Sequence, residues 1–246
     1  MLGTGLATVA AGLLLVRTRL VATSGFKDRV LLLGPIAEAV ALAIFAAEHF
    51  LDARDLAGIV PRWLPGHLFW TYLVGCALLA AAISLIAWRC VRLSASLLAL
   101  LFLIIVATID LPGLPKQIHA RMFWILTVRE TAFAGGAMVL AGSLWPRGQS
   151  AGRTLMTMGR TIVAAVFVFY AIEHFLYPHH VPGVPLEKLT PGWVPVPVLL
   201  AWVVGAVLLA AGIGLMVPRA RRMAAAGAGG MLLLLTVFFY VPILVM

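Results

Sequence analysis

The chain has 246 residues, 63% of them hydrophobic and 11% charged, with a formal net charge of +9. A soluble domain carries about a quarter charged residues, so the composition excludes one and leaves no room for one between the apolar runs. The basic excess does not point to nucleic acid, because Arg and Lys sit in short connections between apolar stretches, as in membrane proteins.

Crossing a bilayer takes about 20 apolar residues per helix. The pattern predicts an all-α, polytopic transmembrane bundle of about eight helices, near residues 2–18, 30–51, 67–88, 93–111, 120–145, 154–177, 196–217 and 222–245. The first run has no basic residue before it, and Arg17 and Arg19 follow it. That order is wrong for a cleaved signal peptide and predicts a first transmembrane helix with its amino end outside. Residues 1–28 then form this helix and a cytoplasmic loop. Residues 29–146 and 147–246 read as two repeats, the second lacking its fourth helix.

The second predicted helix ends in Glu48-His49-Phe50 and the sixth in Glu173-His174-Phe175. Each is followed by a Pro-rich connection holding Trp63-Leu64-Pro65 or Trp193-Val194-Pro195. An ionisable pair at a membrane helix end costs free energy, so its recurrence marks a duplication. Trp63, Gly75, Leu78, Ala81, Arg89, Arg92 and Pro112 match Trp193, Gly205, Leu208, Ala211, Arg219, Arg222 and Pro242. The offset of about 130 residues holds without a gap across two helices. A repeat of four helices keeps one orientation, so the copies are expected to be related by an axis along the membrane normal. The first helix would then pair with the fifth. Gly75, Gly135, Gly136, Gly205, Gly212 and Gly214 are expected at close helix approaches. Cys76 and Cys90, the two cysteines, fall about 20 Å apart along one helix, too far for a disulfide.

Alternate threading puts Arg17, Arg19, Lys27, Arg29, Arg89, Arg92, Arg147, Arg153, Arg219, Arg221 and Arg222 on one side. Arg54, Arg62, Lys116, Arg121 and Lys188 fall on the other. The bias predicts that the first side is cytoplasmic and that both termini face outward. His49, His67, His119, His174, His179 and His180 all map to the outer side, and Asp110 ends a helix there.

These groups give the candidate site. Imidazoles at His49 and His174 suit a metal, a haem iron or a quinone oxygen, and Glu48 and Glu173 suit proton acceptance. The plainer reading is interfacial, with histidine at the negative end of a helix dipole and glutamate reaching headgroup water. Glu38 lies about three turns below Glu48. Arg129 and Glu130 are adjacent on the fifth helix and point about 100° apart, so each should meet a partner on another helix, with Glu38, Glu48 or Glu173 open to Arg129. A structural ion pair and a proton-coupled path both remain open for them. His119 opens the same helix and joins His49 and His174 as a metal candidate. No Cys-x-x-Cys, His-Glu-x-x-His, nucleophile elbow or phosphate-binding Gly loop is present, which argues against a self-contained zinc protease, serine hydrolase or NTPase.

The succession Glu48-His49-Phe50, Val60-Pro61-Arg62-Trp63-Leu64-Pro65, Gly75, Arg89, Arg92 and Pro112 resembles the DoxX-like membrane proteins. The second copy fits through Glu173-His174-Phe175, Trp193-Val194-Pro195, Gly205, Gly212 and Arg219. That family normally has one four-helix unit, so this chain resembles two in tandem. The resemblance implies a redox-associated subunit of a bacterial inner membrane, beside other membrane or redox subunits. Quinone is the expected ligand, ahead of haem. A non-enzymatic scaffold and a small-solute or ion carrier are the alternatives.

Overall fold

The computed structural model describes residues 2–22, 25–146, 148–183 and 187–245. Arg147 lies outside the described residues, as do the side chains of Arg19, Lys27 and Arg29. The described residues form an all-α bundle without strands. The helices are α1 (Leu2–Ala22), α2 (Phe26–Leu51), the short α3 (Ala53–Ala57), α4 (His67–Ala87), α5 (Val91–Ile105), α6 (Leu111–Gln117), α7 (Arg121–Ser143), α8 (Ser150–Leu176), α9 (Pro197–Met216), α10 (Arg221–Leu235) and α11 (Val241–Val245). A π-helical turn, Val106–Asp110, joins α5 to α6, and another, Thr236–Tyr240, joins α10 to α11.

Among the described residues, seven segments are long and apolar enough to cross a membrane: Leu33–Leu51, His67–Ala87, Val91–Gln117, Arg121–Ser143, Ser150–Leu176, Pro197–Met216 and Arg221–Ile243. The chain is an integral membrane protein, and outward-facing Leu, Ile, Val and Phe side chains along these helices meet lipid. The first helix lies where expected and runs a turn further. Its 21 residues, Leu2–Ala22, cover about 31 Å at 1.5 Å per residue, and its described apolar part is Gly3–Arg17.

The fourth predicted helix, near 93–111, runs further than expected. Asp110 does not end its helix, because the chain continues as helix to Gln117 despite Pro112 and Pro115. Proline lacks the N–H that an α turn needs. The wider π turn just before Pro112 takes up that missing bond, and the same device precedes Pro242.

By packing, the chain divides into two compact units, residues 1–100 with 144–146, and residues 101–143 with 147–246. In the first, α1 packs on α2, and both pack on α4. In the second, α7 packs on α8, α8 on α9, and α9 on α10. Thus α7 stands to α8 as α1 stands to α2.

Glycine sets the closest approaches. A Cβ on Gly135 would lie 3.0 Å from the Gly159 carbonyl oxygen, and one on Gly142 would lie 2.7 Å from that of Gly152. Two glycines seven positions apart on α7 therefore face two with the same spacing on α8, in antiparallel order. Such small-residue seams let membrane helices touch backbone to backbone. Gly136, expected at a contact, faces open space instead. Successive helical residues point about 100° apart, so one of the pair had to turn away.

The repeat extends to single backbone bonds. The N–H of Leu64 donates to Pro61 O in the first connection, and that of Val194 to Pro191 O in the second. Trp70 N–H donates to Gly66 O, as Leu200 N–H does to Val196 O. Gly66 and Val196, which precede α4 and α9, both take the left-handed backbone conformation, with φ of 73° and 44°.

Candidate functional site

Each Glu-His-Phe ends its helix against a glycine on the next. A Cβ on Gly75 would lie 2.9 Å from His49 Cβ, and one on Gly205 would lie 3.0 Å from His174 Cβ. The glycines exist because the histidine backbone side of the elbow leaves no room for a methyl group. In both copies the imidazole Nδ1–H donates back one turn, His49 to Phe45 O at 2.8 Å and His174 to Tyr170 O at 2.5 Å.

The copies diverge at Nε2. His174 is buried, and its Nε2 accepts the Gly183 N–H at 2.8 Å. That fixes a neutral imidazole whose lone pair is used by its own loop. As a metal or haem ligand it would first have to release Gly183. His49 is half-buried, and its Nε2 has no hydrogen-bond partner among the described residues.

Glu173 pairs with Arg121, whose Nε donates to Oε2 at 2.6 Å. Sequence reasoning had offered Glu173 to Arg129. The actual partner sits at the first residue of α7, level with the carboxyl end of the antiparallel α8. The Arg121 guanidinium also lies 4.2 Å from the centre of the Tyr177 ring, a cation–π contact. Its Nη1 and Nη2 are buried without a hydrogen-bond partner among the described residues.

These groups line a cavity of about 350 Å³ formed by Ile118, His119, Arg121, Trp124, Phe169, Glu173 and Tyr177. Small-molecule sites are typically about 300–1,000 Å³, with mostly apolar walls and a few placed polar groups. Trp124 is fixed by its Nε1–H donating to Ile118 O at 2.9 Å. The cavity unites His119 and Glu173 and adds Arg121, which the sequence had shown only as an outer-side cation. Its signal was present, because Arg121 opens the helix that also bears Arg129 and Glu130.

Arg129 and Glu130 belong to a different cluster in the same unit. The Glu130 carboxyl lies within hydrogen-bonding reach of that of Asp110, and Arg129 acts electrostatically on both. The adjacent Arg129–Glu130 pair is thus joined by a third residue, on the π turn. Glu38 and Glu48 stay in the first unit with His49, and Glu38 makes no hydrogen bond or ion pair to a described residue. No group of three or more His, Cys, Asp or Glu able to hold a metal ion occurs among the described residues. Cys76 and Cys90 are free and exposed.

Residues 39–113 match a family described as Domain of unknown function (DUF8561). The match runs from the middle of α2 past Pro112 and so takes in the first Glu-His-Phe, the Trp-Leu-Pro connection and Asp110. No curated protein and no solved structure matches the chain.

Proposed function

We propose that this chain is a DoxX-like, redox-associated subunit of a bacterial inner membrane that binds quinone, or a lipophilic ligand with a similar polar head, near the outer face. The site is the cavity at the start of α7 and the end of α8. Both termini lie on the outer side in this reading, and other membrane or redox subunits are the partners.

The observation that carries it is the Arg121 guanidinium. Its two terminal NH2 groups are buried and unbonded among the described residues, a cost of about 1–3 kcal/mol per unsatisfied group. A carbonyl oxygen entering the cavity recovers that cost. Trp124, Phe169 and Tyr177 supply flat apolar walls for a ring. Glu173 holds the guanidinium in place through Nε and leaves both Nη groups for the ligand.

Decylubiquinone, titrated into the purified protein, tests this through quenching of tryptophan fluorescence. Saturable quenching is expected, with most of it lost in Trp124→Phe and the midpoint raised at least about tenfold in Arg121→Lys, a factor equivalent to one good hydrogen bond. Identical curves for wild type and both variants would remove the ligand from this cavity.

A further inference from the structure

We propose that Asp110 and Glu130 form a proton-binding site, a carboxyl pair that holds one proton between its two side chains. Asp110 is 6% exposed. Its Oδ2 and the Oε2 of Glu130 are buried, and neither receives a hydrogen bond from a donor among the described residues. The π turn that bears Asp110 packs against α7, which bears Glu130, and this brings the two carboxyl groups within hydrogen-bonding reach of one another.

Two ionised carboxylates in that position would be an uncompensated like-charge contact away from water. Arg129 offsets one negative charge but not two. A single proton resolves the rest: one carboxyl O–H donates to the other carboxylate, and the cluster becomes neutral with Arg129 included. The proton comes from water and returns to it, and no bond to carbon changes. A metal cation fits less well, because hard cations take six or more oxygen ligands and no group of three His, Cys, Asp or Glu residues is present among the described residues.

The backbone supports the assignment. Asp110 closes the π turn that precedes Pro112, and single π turns recur at functional sites because they re-aim one side chain. The equivalent turn in the second copy carries Tyr240, so the carboxyl is particular to the first. Tyr170 on α8 lies near Arg129 as well, within electrostatic range of Tyr240 and Glu173.

The proposal is independent of what enters the cavity at Arg121. Infrared difference spectra of the protein in membranes at neutral pH test it. Wild type minus Asp110→Asn, and wild type minus Glu130→Gln, should each show a positive C=O stretching band of a protonated carboxyl group that shifts in D2O. Arg121→Lys, and Glu187→Gln at an exposed carboxyl of the connection between α8 and α9, should leave that band intact. Should either asparagine or glutamine variant fail to fold, Asp110→Glu and Glu130→Asp keep both carboxyls and should keep the band at a shifted frequency. Absence of a protonated-carboxyl band in wild type, or its survival in both neutralised variants, would overturn the proposal.

Discussion

Asp110 and Tyr240 stand at the same position of two π turns, one repeat length apart. The turn is common to both copies, while the polar group it aims has changed. Tyr240 donates its hydroxyl to Pro182 O at 2.8 Å and so ties the last helix to the connection after α8. Tyr240→Phe should lower stability by about 1 kcal/mol, the net worth of one hydrogen bond. Thermal unfolding in detergent reads this, and an unchanged midpoint would show that the bond contributes nothing.

Val196 keeps a backbone conformation better suited to its counterpart Gly66. At φ 44° a β-branched residue pays about 1–2 kcal/mol for the left-handed region, and glycine pays none of it. Glycine loses about 0.5–1 kcal/mol in chain entropy. Val196→Gly should therefore raise stability by up to about 1 kcal/mol, while Gly66→Val lowers it by more. A melting point that falls in Val196→Gly is the contrary result.

The elbow glycines predict a graded series. Gly75→Ala and Gly205→Ala place a methyl group about 3 Å from a histidine Cβ, and overpacking of that kind costs about 1–3 kcal/mol. Gly136→Ala meets nothing within 4 Å and should be neutral or slightly stabilising, since alanine favours helix. Equal folded yields for all three would mean that the elbows are looser than described.

Arg121 and Glu173 should couple in a double-mutant cycle. Both side chains are only slightly exposed, at 13% and 12%. Arg121→Ala strands a carboxylate and Glu173→Ala strands a guanidinium, so the double variant should lose less than the two single losses combined. A coupling of about 0.5–3 kcal/mol is expected. Additive losses would dissolve the pair.

Orientation can be read from Cys90, which is exposed in the turn between α4 and α5. In a Cys76→Ser background, an impermeant maleimide should label it in inverted vesicles and not in intact cells. Labelling from outside would reverse the proposed topology.

Most of the fold was legible because an apolar run of membrane length has few alternatives. Both Glu-His-Phe motifs fall in the last turns of α2 and α8, and the helices on either side follow the hydropathy. What the sequence hid depended on azimuth and register. Gly136 could not be told from Gly135 without knowing which way α7 faces. Glu173 was offered to Arg129, although the antiparallel run of α7 brings Arg121 to its level. The fourth helix was expected to stop near residue 111, and the π turn instead carries it on. Asp110 thereby became a buried helical residue rather than a terminal one.

The bond from Gly183 to His174 gives the second copy a latch that the first lacks. A connection fastened at two points, by His174 and by Tyr240, cannot rise without breaking buried hydrogen bonds. Duplication supplied two equivalent corners, and one histidine has since been committed to architecture. The other still presents an unused nitrogen, so any later recruitment of an imidazole for chemistry would start from His49 at little cost to the scaffold.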